Sequence, residues 1–144
     1  MTVAWGVTVD CAEPVRLAAF WREALGYVDA PVPEGFASRE EWLIRWEVPP
    51  QEWDAAAYLH DPGGARPTLT FLKVPEPKTV KNRLHLDVKA GGRDRPQDER
   101  WPSIAETVRR LIVAGATVVE EVAVAGVPSH VVMADPEGNE FCVV

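Results

Sequence analysis

The chain has 144 residues, of which 47% are hydrophobic and 26% charged, and its 15 basic and 22 acidic residues leave a net charge of −7. This composition is typical of one globular domain that buries a core without disulfide or metal staples. The negative charge excludes nucleic acid as the main partner, because binding phosphates needs a basic face. No apolar run approaches the ~20 residues of a membrane helix, no export signal opens the chain, and two cysteines are too few for a disulfide framework. We therefore expect a cytoplasmic protein without a membrane partner.

The first half of the chain alternates between strand and helix patterns. Residues 3–11 show the two-residue period of a half-buried strand. An apolar stripe at helical spacing follows, with Pro14 suited to the first helical position and Gly26 to a left-handed stop. The other elements predicted here are a strand from Tyr27, a short helix over 39–46 with Ser38 and Glu41 as a capping box, and strands over 55–60 and 68–74.

The second half has the same kinds of element. A strand is predicted over 83–89, with leucines and a valine on one face and His85 and Asp87 on the other. Residues 91–102 are predicted to form a polar loop, and a helix follows with Ser103 and Glu106 as its capping box. Three closing strands are predicted over 117–122, 130–134 and 140–144.

The element order β, α, β, β, β therefore occurs twice, and short motifs repeat with it. Val7-Thr8-Val9-Asp10 matches Leu84-His85-Leu86-Asp87 at a separation of 77 residues, and Asp61-Pro62-Gly63-Gly64 matches Asp135-Pro136-Glu137-Gly138 at 74. We prefer duplication to chance similarity of common strand and turn patterns. The sequence predicts a single domain over 1–144, made of a first module over about 1–77 and a second over about 78–144.

Strand alternation also predicts which side chains share a face. Each module has an apolar strand face that would pack on its helix and a mixed face on the other side. If the two sheets curl toward each other, the mixed faces line a shared cleft. The side chains assigned to that cleft are Thr8, Asp10, Thr68, Thr70, Leu72, His85, Asp87, Glu140 and Cys142.

Three stretches resemble a known family: DCAEPVRLAAFWREALGY, DPGGARPTLTFLKVPEPKTVKNRLHLDV and MADPEGNEFCVV. They are similar to the glyoxalase-like domain branch of the vicinal oxygen chelate superfamily, which also holds glyoxalase I, extradiol dioxygenases and bleomycin-resistance proteins. The resemblance covers nearly the whole chain. It implies an α+β fold in which two βαβββ modules form an open cupped sheet around a cleft, in agreement with the repeat.

The resemblance also bears on a metal. In metal-using members it implies four inward ligands, usually His, Glu or Gln. The corresponding positions here are Thr8 or Gly6, Thr70 or Leu72, His85, and Cys142. Only His85 is a normal ligand, so we expect no metal cofactor. The alternative is a divalent metal held by His85, Cys142 and one of Asp87 or Glu140.

His85 is the leading candidate for chemistry, because an imidazole titrates near neutral pH and can act as a general base. Asp87 or Asp10 would orient it, or would instead serve only structural hydrogen bonds or caps. Glu140 is a carboxylate base or a solvated rim residue. Cys142 is a nucleophile only if His85 lowers its pKa, and otherwise a small apolar filler. His60 and His130, at strand and loop edges, are expected outside the ligand pocket.

Two further groups are candidates for ligand binding. Trp42 and Trp46 are four residues apart, so with Trp53 they form an aromatic lid over a flat ligand or dock an inserted helix on the sheet. A basic cluster would bind a carboxylate or phosphate, or would be an ion-paired connector. Its members are Lys78, Lys81, Asn82 and Arg83.

The leading functional hypothesis is a small-molecule-binding protein that needs no metal, with a ligand that is aromatic or otherwise flat, or anionic. As an enzyme, it would use His85 to transfer a proton at a carbon next to a carbonyl, with Thr8, Thr70 or Asp87 orienting the substrate. One alternative is a metal-dependent lyase, isomerase or dioxygenase. Another is a drug-sequestering protein of the bleomycin-resistance kind. The expected protein partner is a second copy of the chain, since curved sheets leave strand edges exposed.

Overall fold

The computed structural model describes residues 2–92 and 94–144 and divides the chain into two compact units. The second unit comprises Glu23–Leu25 and Lys78–Val144, and the first comprises the rest of the chain up to Pro77. In the described residues, no helix has both the length and the apolar character needed to cross a membrane.

The first unit contains one four-stranded sheet. Its elements are β1 (Gly6–Cys11), α1 (Pro14–Leu25), β2 (Val28–Asp29), α2 (Arg39–Arg45), a 3₁₀ turn (Pro50–Glu52), β3 (Ala56–His60) and β4 (Thr68–Lys73). The strand order is β1-β4-β3-β2, with β1 parallel to β4 and the other pairs antiparallel.

The second unit repeats this topology. Its elements are β5 (Asp87–Val88), α3 (Gln97–Val113), β6 (Thr117–Val124), β7 (Val127–Ala134) and β8 (Glu140–Val143). The order is β5-β8-β7-β6, again with a parallel first pair. The predicted α+β fold with two βαβββ modules is confirmed.

Helix α1 forms where the sequence predicts it. Pro14 occupies its start, and Gly26 ends it in the left-handed conformation at φ 67°, which glycine adopts without steric cost. Its apolar stripe is buried, as are the side chains on one face of the sheet. These core residues are Leu17, Phe20, Trp21, Ala24, Leu59, Leu69 and Phe71.

The two repeated Asp-Pro turns have the same construction. Asp61 is buried and accepts the backbone N–H groups of Gly63, Ala65 and Arg66 at 3.2, 3.0 and 3.1 Å. Asp135 is also buried and accepts those of Glu137 and Asn139 at 2.9 Å. Each aspartate closes the hairpin before the strand that pairs in parallel with the first strand of its module.

Two predicted boundaries are wrong in the second unit. Strand β5 covers Asp87–Val88 rather than 83–89, and Leu84 is 86% exposed instead of lying on an apolar face. The reason is that the side chain of Asn82, rather than the main chain of a longer β5, forms hydrogen bonds with the backbone of β8 at Glu140. It donates to the Glu140 carbonyl at 3.2 Å and accepts the Glu140 N–H at 2.9 Å.

Helix α3 begins at Gln97, inside the predicted polar loop, so the predicted capping box at Ser103 is wrong. Asp98 and Glu99 lie in its first turn, where acidic side chains complement the helix dipole. Pro102 lies inside the helix with its ring exposed, so it removes one backbone donor without a clash in the core. The Ser103 hydroxyl instead accepts from Arg95 at 3.3 Å.

Candidate functional site

The exposed face of the first sheet carries the five strand residues predicted for it, of which Thr68 lies opposite Gly6. In the strand register, Thr8 lies opposite Thr70, and Asp10 lies opposite Leu72. Strand β3 adds Tyr58 beside Thr70 and Ala56 beside Leu72. Leu59 and Phe71, which have the opposite parity, are buried, so the alternation predicts the two faces correctly.

The second sheet brings together the candidate residues of the second module. Asp87 pairs with Cys142, and Glu140 lies two residues earlier on β8. His85 precedes β5 by two residues. One donor atom from each of His85, Asp87 and Cys142 lies within 4.8 Å of the others. This cluster therefore forms although β5 is shorter than the predicted strand.

His85 and Asp87 form the chemically most informative contact. His85 Nε2 lies 3.6 Å from Asp87 Oδ1, and the two side chains are 48% and 49% exposed. The Asp87 carboxylate therefore lies beside the Nε2 edge of the ring. Nδ1 has no hydrogen-bond partner within residues 2–92 and 94–144, so it is the ring atom available to a ligand.

Cys142 lies in an environment that opposes a thiolate. Partial burial raises the pKa of its thiol, and the carboxylates of Asp87 and Glu140 raise it further, with Lys81 a smaller opposing influence. A nucleophilic cysteine needs a lowered pKa. The surroundings therefore favour the alternative of a small, neutral side chain.

The basic cluster (Lys78, Lys81, Asn82 and Arg83) is largely occupied by contacts within its unit. Lys81 Nζ lies 2.9 Å from a Glu140 carboxylate oxygen, and this partner raises the pKa of Lys81. Lys78 donates to the Val80 carbonyl, and Asn82 holds the backbone of Glu140. These contacts favour the ion-paired connector over an anion-binding site and leave Glu140 engaged at the edge of the cluster.

The aromatic segment divides into docking and surface side chains. Ser38 caps α2 by accepting the Glu41 N–H at 3.1 Å, as predicted. Leu43 is the buried residue of this helix, and the Trp53 indole donates to the Val48 carbonyl at 2.9 Å. Trp46 remains 61% exposed, so it is not a core residue.

The donor cluster can be compared with the requirements of a resident divalent ion. In a tetrahedral site with bonds of about 2.0–2.3 Å, ligand atoms lie roughly 3.3–3.8 Å apart. His85 and Asp87 meet this spacing at 3.6 Å, whereas the whole group spreads to 4.8 Å. The third donor is a thiol whose pKa is raised, and the neighbouring Glu140 carboxylate is engaged by an ammonium group. Three potential donors are therefore present, but they fit a resident ion poorly as arranged.

The sequence analysis did not identify two residues at the exposed face of the first sheet, one on a strand and one on α2. Tyr58 lies on the same exposed face as Thr70, and the Arg39 guanidinium carbon lies 4.8 Å from its ring centroid. The alternation of β3 around Leu59 is the signal that could have found Tyr58. No sequence pattern relates Arg39 to a strand 19 residues further on, because their contact depends on where α2 packs.

Solved structures of the same fold cover almost the whole chain. A possible glyoxalase from Bacillus cereus has 15% identity and a TM-score of 0.61, covering 100% of this chain and 99% of the other. A glyoxalase/bleomycin resistance protein/dioxygenase family enzyme from Burkholderia phytofirmans PsJN has 17% identity and a TM-score of 0.57, covering 95% and 93%.

A third structure is a variant of the fosfomycin resistance protein FosX from Listeria monocytogenes, complexed with Mn(II) and 1S,2S-dihydroxypropylphosphonic acid. It has 10% identity and a TM-score of 0.57, covering 99% of this chain and 89% of the other. At these identities the likeness shows the fold alone.

Sequence comparison identifies the family. A search of curated proteins finds no match. The model of the glyoxalase-like domain matches residues 6–144, which is nearly the whole chain. The two βαβββ units and the structural neighbours agree with that match. The chain belongs to the glyoxalase-like domain family of the vicinal oxygen chelate superfamily.

Proposed function

We propose that the chain binds a small carbonyl compound on the exposed face of its second sheet and transfers a proton there with His85 and Asp87. The observation that carries this proposal is the 3.6 Å contact between His85 Nε2 and Asp87 Oδ1, with both side chains accessible. Structural neighbours that bind small molecules, such as FosX with its phosphonic acid, support a ligand-binding role.

The proposed step is proton abstraction from a carbon next to a carbonyl. His85 Nδ1 takes the proton, and the electron pair of the broken C–H bond moves to the carbonyl as an enolate. The negative charge of Asp87 stabilises the imidazolium that forms during the transfer. Return of a proton from His85 to carbon restores the ligand or gives its isomer.

We propose that this chemistry needs no resident metal. Thr8, Thr70 and Leu72 are not metal ligands, and the donor atoms of His85, Asp87 and Cys142 are spread over as much as 4.8 Å. The specific observation that favours a metal-dependent lyase, isomerase or dioxygenase is the His85, Asp87 and Cys142 group itself. Metal analysis of the purified protein separates the two candidates.

Separately, Trp42 and Trp46 are proposed to form an aromatic surface of the first unit that binds flat, aromatic ligands. The exposed Trp46 ring supports this, because a ring that serves only the core would be buried. We also propose a cytoplasmic homodimer. Two free cysteines agree with a reducing compartment.

Phenylpyruvate is a suitable probe, because it has an aromatic ring and acidic hydrogens next to a ketone. In D₂O, proton NMR measures the loss of these hydrogens above the uncatalysed rate. We expect catalysed exchange with the wild-type protein, at least about a hundredfold slower exchange with His85→Gln, and a smaller loss with Asp87→Asn.

His130→Gln is the matched control, because it changes another histidine of the second sheet whose Nδ1 contacts Ser129 Oγ at 3.2 Å. It should exchange at the wild-type rate. Equal exchange by His85→Gln and the wild type would refute the acid–base role. Saturable binding of bleomycin or fosfomycin without any exchange would instead support the drug-sequestering alternative.

A further inference from the structure

A positive charge is held over the exposed face of the first sheet. The Arg39 guanidinium lies above the Tyr58 ring, with 4.8 Å between the guanidinium carbon and the ring centroid. Its Nη2 also donates to the Ala56 carbonyl in a long contact of 3.5 Å. Stacking on the ring and a bond to the same strand orient the guanidinium without consuming most of its donors.

No carboxylate neutralises this charge. An arginine has five N–H donors, of which Arg39 uses one, and within the described part of the chain no acidic oxygen lies within 4.0 Å of it. Other arginines do have acidic partners. These are Arg16, Arg22, Arg66, Arg109 and Arg110.

Polar groups without protein partners lie on the same face. Tyr58, Thr70 and Thr8 form a row across β3, β4 and β1, and no hydrogen bond from their hydroxyls is found within residues 2–92 and 94–144. The hydroxyls of this row are therefore available to a ligand.

The neighbouring row supplies an apolar surface and a negative end. Ala56, Leu72 and Asp10 lie side by side in the strand register. Leu72 is exposed and offers contact area to a ring. Asp10 is an exposed carboxylate at the far end of this row, where it would repel a second anionic group.

We infer that this face of the first unit is a binding site for aromatic monocarboxylates. The ligand carboxylate accepts hydrogen bonds from Arg39 and the Thr70 hydroxyl, and its ring lies against Leu72 and Tyr58. Asp10 selects against dicarboxylates. This inference goes beyond the proposed chemistry of His85, because it rests on different residues in the other unit.

Benzoate is the probe, and benzamide is its neutral counterpart of the same shape. We expect benzoate to bind at concentrations of about 10 mM or below, as measured by shifts of backbone amide signals in NMR. The shifts should centre on β3 and β4. Benzamide and terephthalate, which has two carboxylates, should bind more weakly.

Arg39→Met should weaken benzoate binding by about ten- to hundredfold, the range for lost hydrogen bonds to a charged group. Arg39→Lys should restore part of the affinity for benzoate, because lysine restores the positive charge but not the planar pair of N–H donors of the guanidinium. Arg45→Met is the matched control. Arg45 belongs to the same helix and stacks on Trp46 at 5.5 Å, so its loss should leave benzoate binding unchanged.

Thr70→Val keeps the side-chain shape and tests the site even if Arg39→Met folds poorly. It should weaken benzoate binding several-fold. The inference is wrong if benzoate fails to bind, or if Arg39→Lys and Thr70→Val bind it as tightly as the wild type. His85→Gln should bind benzoate as tightly as the wild type, because His85 is not part of this site. Failure of this inference would therefore not count against the proposed function, and failure of the proposed function would not count against this inference.

Discussion

At the level of single residues, the surroundings of Cys142 decide between two hypotheses that the sequence left open. A cysteine two residues from a glutamate and near a histidine can be a nucleophile or a filler. In the structure, partial burial and the carboxylates of Asp87 and Glu140 raise the pKa of the thiol, and Lys81 offsets this only in part. These surroundings support our proposal that His85 and Asp87, rather than Cys142, carry the chemistry of the cluster.

This assignment predicts slow alkylation of Cys142. The pH midpoint of its reaction with iodoacetamide should lie above the ordinary value of 9.0. Asp87→Asn removes one nearby negative charge, so the midpoint should fall and the rate at neutral pH should rise. Peptide mass mapping distinguishes Cys142 from the buried Cys11.

Glu106→Gln is the control for this measurement, because it removes an exposed carboxylate of α3 that pairs with Arg109. It should leave the midpoint unchanged. A wild-type midpoint at or below the ordinary value would contradict the assignment and restore the nucleophile hypothesis.

Asp61 gives a second prediction for a single residue. Burial alone would raise the pKa of this carboxyl, but three backbone N–H donors and Arg66 outweigh burial and lower it. A carboxyl with a lowered folded-state pKa stabilises the protein above its unfolded-state pKa, and this stabilisation disappears as the pH falls through the folded-state pKa.

The urea midpoint of the wild type should therefore fall on acidification between about pH 5 and pH 2. Asp61→Asn should be less stable at neutral pH and should show a shallower fall with acidification. The same steepness in both proteins would show that Asp61 does not carry this pH dependence.

At the level of elements, helix α2 and its C-cap residue Trp46 carry both buried and exposed apolar side chains. Leu43 is buried, whereas Ile44 and Trp46 are exposed. The capping box at Ser38 could be predicted from sequence because it is local. Which tryptophans dock and which stay exposed could not, because that depends on contacts with distant strands.

Substitutions in α2 should reflect this division. Leu43→Ala should cost about 2–5 kcal/mol of unfolding free energy, whereas Trp46→Ala should change it by about 0.5 kcal/mol or less. Urea denaturation measures both. The proposed aromatic surface of the first unit adds that Trp46→Ala weakens the binding of a flat aromatic ligand. Normal binding by a stable Trp46→Ala protein would remove Trp46 from the ligand site.

Elements α3 and β5 mark the limit of local patterns. Pro102 predicts a loop end, yet the helix continues through it with the ring exposed. The alternation over 83–89 predicts a full strand, yet the Asn82 side chain replaces main-chain pairing with β8. The second difference arises from a contact between residues far apart in sequence. The faces of the longer strands were still predicted correctly, because side-chain alternation is fixed by the backbone.

For the whole molecule, the duplication is the feature that the sequence predicts best. Asp61 and Asp135 are buried in turns of the same construction, and the two sheets have the same strand order. The candidate site was predicted in part: Asp87 and Cys142 are paired neighbours, and His85 lies beside them. Arg39 and Tyr58 were missed because they meet only through the packing of α2.

We predict that the chain forms a homodimer. The outer edge of β6 has eight residues with no strand partner among those described, and exposed edges of this length favour association. Sedimentation equilibrium at micromolar concentration should give a mass twice that of the 15.9 kDa chain. A monomeric mass at that concentration would contradict the prediction.

Metal content tests most directly whether the His85–Asp87 pair acts without a resident ion. The protein is purified without added metal or chelator, and its zinc, iron, nickel and manganese are measured by mass spectrometry beside those of His85→Ala. We predict far less than one ion per chain in both proteins, because the three donor atoms are spread over as much as 4.8 Å and Glu140 is engaged by Lys81. One tightly bound ion per wild-type chain that is lost in His85→Ala would contradict this account and support the metal-dependent alternative.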